Sequence, residues 1–264
     1  MNLNIASNYK ELNDSQRIRL MKAMNSRLRG KLLILYTFIV LALPNRWNFR
    51  QVWRVIRVLR NVKINDLRPF VNWVFDLDEM YQFPKSVRER FREFYGPADK
   101  LANLTMEEFS FADLFFYEWT QNRADEAALN RLMTVLYRPK AEKPLPKDVR
   151  ERFEKSLLPE RAKYIQRLNR DVKLAVAMAF AGSRQYIEKQ FPVIFPKRKK
   201  TDDALPKKSS YRPFTEVIRA LALDEVQAFG DYYKTSQANV YDFMAILQDK
   251  IKRQRELEKK YGTQ

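Results

Sequence analysis

LLILYTFIVLAL, residues Leu32 to Leu43, carries no charge and stops against Pro44. As a helix these twelve residues reach about 18 Å, well short of the roughly 20 residues that cross a bilayer. The run is apolar on every side, so the fold has to cover it almost completely. A soluble core built around this segment is therefore expected, with no membrane partner. Charged and polar residues precede the run and no small-residue cleavage site follows it, which argues against a secretory leader.

The rest of the chain supplies helices to build that core. Only five of 264 residues are glycine, and apolar residues recur at three- and four-residue spacing, a pattern that favours helices over a many-turned sheet protein. Asp14-Ser15 opens a first helix from Gln16 to about Arg29, Gly30 interrupts it, and Pro44 ends the next. PKSVRERF (residues 84–91) and PKDVRERF (146–153) are nearly identical, but the likeness dies within a few residues on each side. They are predicted to be two helix starts with the same proline-plus-cap chemistry rather than a duplication. Thr105 with Glu108 forms a predicted capping box ahead of an aromatic helix. Leu174 to Ala181 is apolar all round and is expected to be buried on most sides. The expected fold is all-α: a multi-helix globular body with a smaller C-terminal helical element. Its divisions are an N-terminal helical region at 1–138, a Pro-rich connector at 139–147, a helical region at 148–196 packing on the first, a basic linker at 197–210, and the C-terminal element at 211–264.

Histidine and cysteine are both absent. That removes the usual neutral-pH general base, the His-dependent triads and thiolate metal sites. Neither a GxGxxG nor a GxxxxGK[ST] phosphate cradle occurs. The expectation is a protein that is not an enzyme, with no cofactor, no catalytic residue and no metal. Asp76, Asp78 and Glu79 form the one acidic cluster that invites a Mg²⁺ reading. A helix-terminal acidic turn explains it better, because no phosphate-gripping loop or βαβ scaffold accompanies it.

The formal charge is +18, which suits a polyanionic or acidic partner. Both ends of the chain are basic, and residues 84–135 are slightly acidic. Arg46, Arg50, Arg54, Arg57 and Arg60 line one side of a predicted helix, with Val52, Val55, Ile56 and Leu59 on another. The stripe reads first as the wet wall of an amphipathic helix, since arginine is a good helix former whose stem covers apolar surface. Contact with nucleic acid or with an acidic protein patch is the competing reading. Trp47 and Trp53, near the apolar side, are expected in the core. Lys197, Arg198, Lys199, Lys200, Lys207 and Lys208 read as a solvated tether, with polyanion contact as the alternative. Phe109, Phe115, Phe116 and Trp119 crowd one helix, as core or as an assembly interface.

NLTMEEFSFAD (103–113), LNRLMTVLYRP (129–139) and DVKLAVAMAFAGSRQYIEKQFPVIF (171–195) resemble helical proteins of tailed bacteriophages and prophages, particularly those of Bacteroidetes. FTEVIRALALDEV (214–226) and NVYDFMAILQDKIK (239–252) resemble the helical end of tail-assembly and tail-chaperone-like proteins. The resemblance implies a non-enzymatic factor of virion assembly, acting through helical interfaces on other phage-like structural or tail proteins or on itself. It places the protein in the cytoplasm of a bacterial host, or in the virion. Nucleic acid, through the arginine helix and the lysine-rich linker, remains the alternative partner.

Overall fold

The computed structural model describes residues 3–44, 48–75, 80–196, 211, 213–224 and 226–262. Helix accounts for 64% of the chain and strand for 8%, so the fold is helical in the main. It departs from the all-α expectation in two small hairpins.

Around the apolar run the N-terminal layer assembles from α1 (Asp14–Asn25), α2 (Gly30–Ala42), α3 (Phe49–Asn61) and the short α4 (Arg68–Val71). Asn13 opens α1 in a reciprocal capping box with Gln16, at 2.8 and 3.2 Å, so the helix starts two residues earlier than expected and ends at Asn25, short of Arg29. The α2 helix is the apolar run, and Pro44 leaves its last carbonyls without helical donors. Side chains from α1 supply them. Gln16 Nε2 donates to Val40 and Leu41 O at 3.0 and 3.1 Å, and Arg19 Nη2 donates to Leu43 O at 2.6 Å. Phe38, Leu41, Leu20, Met21, Val55, Val71 and Val74 form one buried cluster here.

Beyond Met80 a second core begins. Strands β1 (Ser86–Glu89) and β2 (Arg92–Tyr95) make one antiparallel hairpin, and β3 (Lys140–Leu145) and β4 (Asp148–Arg150) make the other. A reciprocal pair of backbone bonds between Tyr95 and Arg138, 2.8 and 3.2 Å, joins the two. The repeated octapeptides, expected to open helices, are the first strand of one hairpin and the last strand of the other. They hold too few apolar residues to cover one side of a helix, whereas a strand has to bury only alternate residues. Val87 is buried and Arg88 exposed in the first copy; Val149 is exposed and Arg150 buried in the second. The Pro-rich stretch expected as a connector contributes β3.

Helices α5 (Met106–Gln121), α6 (Glu126–Leu136), α7 (Leu158–Ile165) and α8 (Arg170–Gln190) enclose this core. As its all-round apolarity predicts, α8 is buried on several sides. Ala175 faces the N-terminal cluster, and Val176, Ala177 and Phe180 face the second. Helices α9 (Phe214–Ala222), α10 (Tyr232–Gln237) and α11 (Val240–Tyr261) dock back on α5. Phe214 meets Phe109 edge-on at 5.4 Å. The starts of α5 and α11 exchange two backbone bonds, Met106 N–H to Ala238 O and Val240 N–H to Leu104 O, 2.8 and 3.1 Å.

Candidate functional site

Helix α3 presents the arginine stripe. The Asn48 side chain accepts from Gln51 N–H at 3.3 Å and caps its start. Val55 alone is fully covered, at 2% exposure, while Val52, Val58 and Leu59 are half-buried beside it. The helix therefore docks through a narrow line centred on Val55. Phe49, Trp53 and Ile56, on the sector next to that line, are 81%, 59% and 46% exposed. This corrects the expectation that Trp53 and Ile56 are interior. The hydrophobic sector of α3 is wider than the surface available beneath it, so part of the sector stays outside.

Arg50, Arg54, Arg57 and Arg60 are exposed next to that apolar line. No ion pair joins them to a carboxylate among the described residues. The Arg57 guanidinium lies 5.5 Å from the Trp53 ring centre, a cation–π contact that holds the two side chains on one face. Arg46 and Trp47 lie outside the described residues, as do Lys197, Arg198, Lys199, Lys200, Lys207 and Lys208, and the acidic cluster of Asp76, Asp78 and Glu79.

The aromatic group is mostly interior. Phe109 and Trp119 are 1% exposed, and Phe115 and Phe116 are half-buried against the same core. Phe116 contacts both Trp119 and Phe180. Phe180 of α8 and Phe214 of α9 close over Phe109, and Trp119 is as deeply buried, so neither of these two is available to a separate molecule.

Two buried charge clusters went unread in the sequence. In the first, Glu108 accepts from Arg138 Nη1 at 3.0 Å and from Arg150 Nη2 at 3.3 Å, and Asp148 closes on Arg150 at 2.7 Å. Only half of the predicted capping box forms as a result. Thr105 Oγ1 accepts from Glu108 N–H, while the Glu108 carboxylate turns inward to the arginines. Burial draws the Arg138 pKa below that of a free guanidinium, against the pull of Glu108. For Arg150 burial acts the same way, but the hydrogen bonds it donates to Asp148 and the charge of Glu108 prevail and raise it. Both oxygens of Glu108 are engaged by cations, so the cluster clasps α5 to the second hairpin. In the second cluster, Asp113 accepts from Arg184 Nε at 2.6 Å and from the Tyr211 hydroxyl at 3.0 Å, and Tyr211 stacks on Tyr117 at 4.3 Å. The signal available in the sequence was a carboxylate at an inward position of an aromatic helix, which burial compels to find a cation.

Among the described residues no group of three or more acidic side chains is close enough to hold a metal ion, and no helix is long and apolar enough to cross a membrane. Comparisons with protein-family models, with curated proteins and with solved structures found no match.

Proposed function

We propose that this chain is a non-catalytic assembly or structural factor, of the phage-like kind that its sequence phrases resemble, and that it works by docking the outer face of α3 on a partner protein. One observation carries the reading: Phe49, Trp53 and Ile56 stand exposed in line beside four arginines that have no described counter-charge. An apolar line with a charged border is the composition of an interaction surface, and tryptophan and arginine are the residues that most often dominate binding energy in one. The partner is another structural or tail protein of the same assembly, met in the cytoplasm of a bacterial host or in the virion.

Nucleic acid is the second reading, favoured by the Arg57–Trp53 contact, since a ring backed by a guanidinium can also stack on an unpaired base. Ile56 weighs towards protein, because it offers no ring for stacking.

Co-expression with the products of the neighbouring genes, followed by native mass measurement, tests the reading. The expected result is a discrete complex that Trp53→Ser abolishes. A chain that stays monomeric with every neighbour, yet shows a salt-sensitive shift with DNA or RNA weakened by Arg50→Ala and Arg54→Ala, overturns it in favour of nucleic acid.

A further inference from the structure

We infer that the occupant of the α3 face is an amphipathic helix of another protein, with apolar residues at three- and four-residue spacing and a row of carboxylates along one flank. This rests on the reading of α3 as a protein-docking face and specifies its partner.

Spacing is the first ground. Phe49, Trp53, Ile56 and Arg60 recur at intervals of four, three and four residues, the period of a helix–helix seam. The three apolar members span about 10 Å of helix, two turns of contact for a second helix. Charge is the next ground. Arg50, Arg54 and Arg57 follow one residue behind the apolar line and run parallel to it. A second helix seated on the seam lies with one flank directly against this row, where carboxylates complement it and cations are repelled.

The opposite border of the seam selects among occupants. Val52, Val55 and Leu59 are there, covered or half-covered by the protein's own N-terminal layer. Approach is thus open only from the arginine side, so the complement is a narrow element with one charged flank. A flat anionic bilayer is met best by a helix with cations on both sides of its apolar wedge; α3 has them on one. A second copy packed antiparallel would set arginine against arginine across the two-fold seam, which costs affinity, and one packed parallel would press each arginine row on the partner's covered Val52–Leu59 border.

Two labelled synthetic helices, both with leucines at seam spacing, test the inference by fluorescence anisotropy against the full chain. One carries glutamates along one flank and the other glutamines. The glutamate peptide is expected to bind about tenfold more tightly at low salt, with the advantage shrinking as salt rises. Trp53→Ser should abolish binding of both peptides. Arg50→Glu combined with Arg57→Glu should transfer the preference to a lysine-flanked peptide. These side chains are exposed, so unchanged circular dichroism and melting temperature verify that the variants fold. Equal affinity for the glutamate and glutamine peptides overturns the acidic flank. Binding of neither peptide, while Trp53→Ser still releases the neighbouring-gene product, overturns the helical partner and leaves the docking reading intact. Displacement of the glutamate peptide by anionic phospholipid vesicles or by an oligonucleotide, at lower concentration than by unlabelled peptide, overturns the protein partner itself. If Trp53→Ser changes binding to no neighbouring-gene product, the docking reading beneath the inference also falls.

Discussion

Arg138 donates to Glu108 at 3.0 Å across thirty residues of sequence, with both side chains almost wholly buried. The pair joins the LTMEEF and LYRP segments, and Arg150 of the second hairpin closes on the same carboxylate. Removing one member leaves an unpaired charge on a side chain that is almost wholly covered. We expect Glu108→Gln or Arg138→Met to lower the unfolding free energy by about 3–5 kcal/mol, measured by urea denaturation. A change under about 1 kcal/mol would show that water or a shifted side chain replaces the lost partner.

Gly96 sits where the first hairpin meets Tyr137. A Cβ there would lie 2.7 Å from Pro84 O and 2.8 Å from the Tyr137 ring and hydroxyl. Tyr137 cannot retreat, because it is fully buried and donates to Pro84 O at 2.7 Å. Gly96→Ala is expected to cost about 1–3 kcal/mol through overpacking. Tyr137→Phe in the same background should not restore it, because the ring and the carbonyl still collide with the methyl group. A melting temperature unchanged by Gly96→Ala would refute the clash.

Stability should fall at alkaline pH. The Tyr137, Tyr211 and Tyr241 hydroxyls donate to Pro84 O, Asp113 and Lys100 O. Burial raises all three pKa values above the ordinary tyrosine value, and the Asp113 charge adds to the effect at Tyr211. A folded pKa above the unfolded one means that the contribution is complete below about pH 10 and is lost as pH rises beyond it. Melting temperature followed from pH 8 to 11 should drop at the upper end. Tyr211→Phe should lower stability at neutral pH and make the alkaline decline shallower. An equal slope in that variant would remove Tyr211 from the account.

The two sides of α3 should answer oppositely to truncation. Val55→Ala removes a covered side chain and is expected to cost about 2 kcal/mol. Trp53→Ser, on the exposed side, should stay within about 0.5 kcal/mol of the native stability. Thermal melts of both variants measure this directly. A large loss in Trp53→Ser would mean that the indole supports the fold and is not held out for a partner.

Much of the helical framework was legible because its signals are local. Asp14-Ser15, Thr105 and Pro44 act within a turn or two of the chain and lie close to the start of α1, the start of α5 and the end of α2, although α1 stops at Asn25 and not near Arg29. The candidate site was legible only as a stripe. Sequence spacing aligned Arg50, Arg54 and Arg57, but Trp53 was expected inside, because periodicity reports which residues share a face and not how much of that face finds cover. Glu108 was read as half of a capping box, since its arginine partners arrive from 30 and 42 residues away.

The sequence by itself determined that the chain is mainly helical, where a few of its helices start or stop, and that its apolar run needs a core. Tertiary structure decided which way each segment faces. Two nearly identical octapeptides became strands with opposite facing, Val87 inward and Val149 outward, because a strand offers both faces equally until a neighbour covers one. The same holds for α3, whose outer apolar line exists because the N-terminal layer is only wide enough to cover the side around Val55.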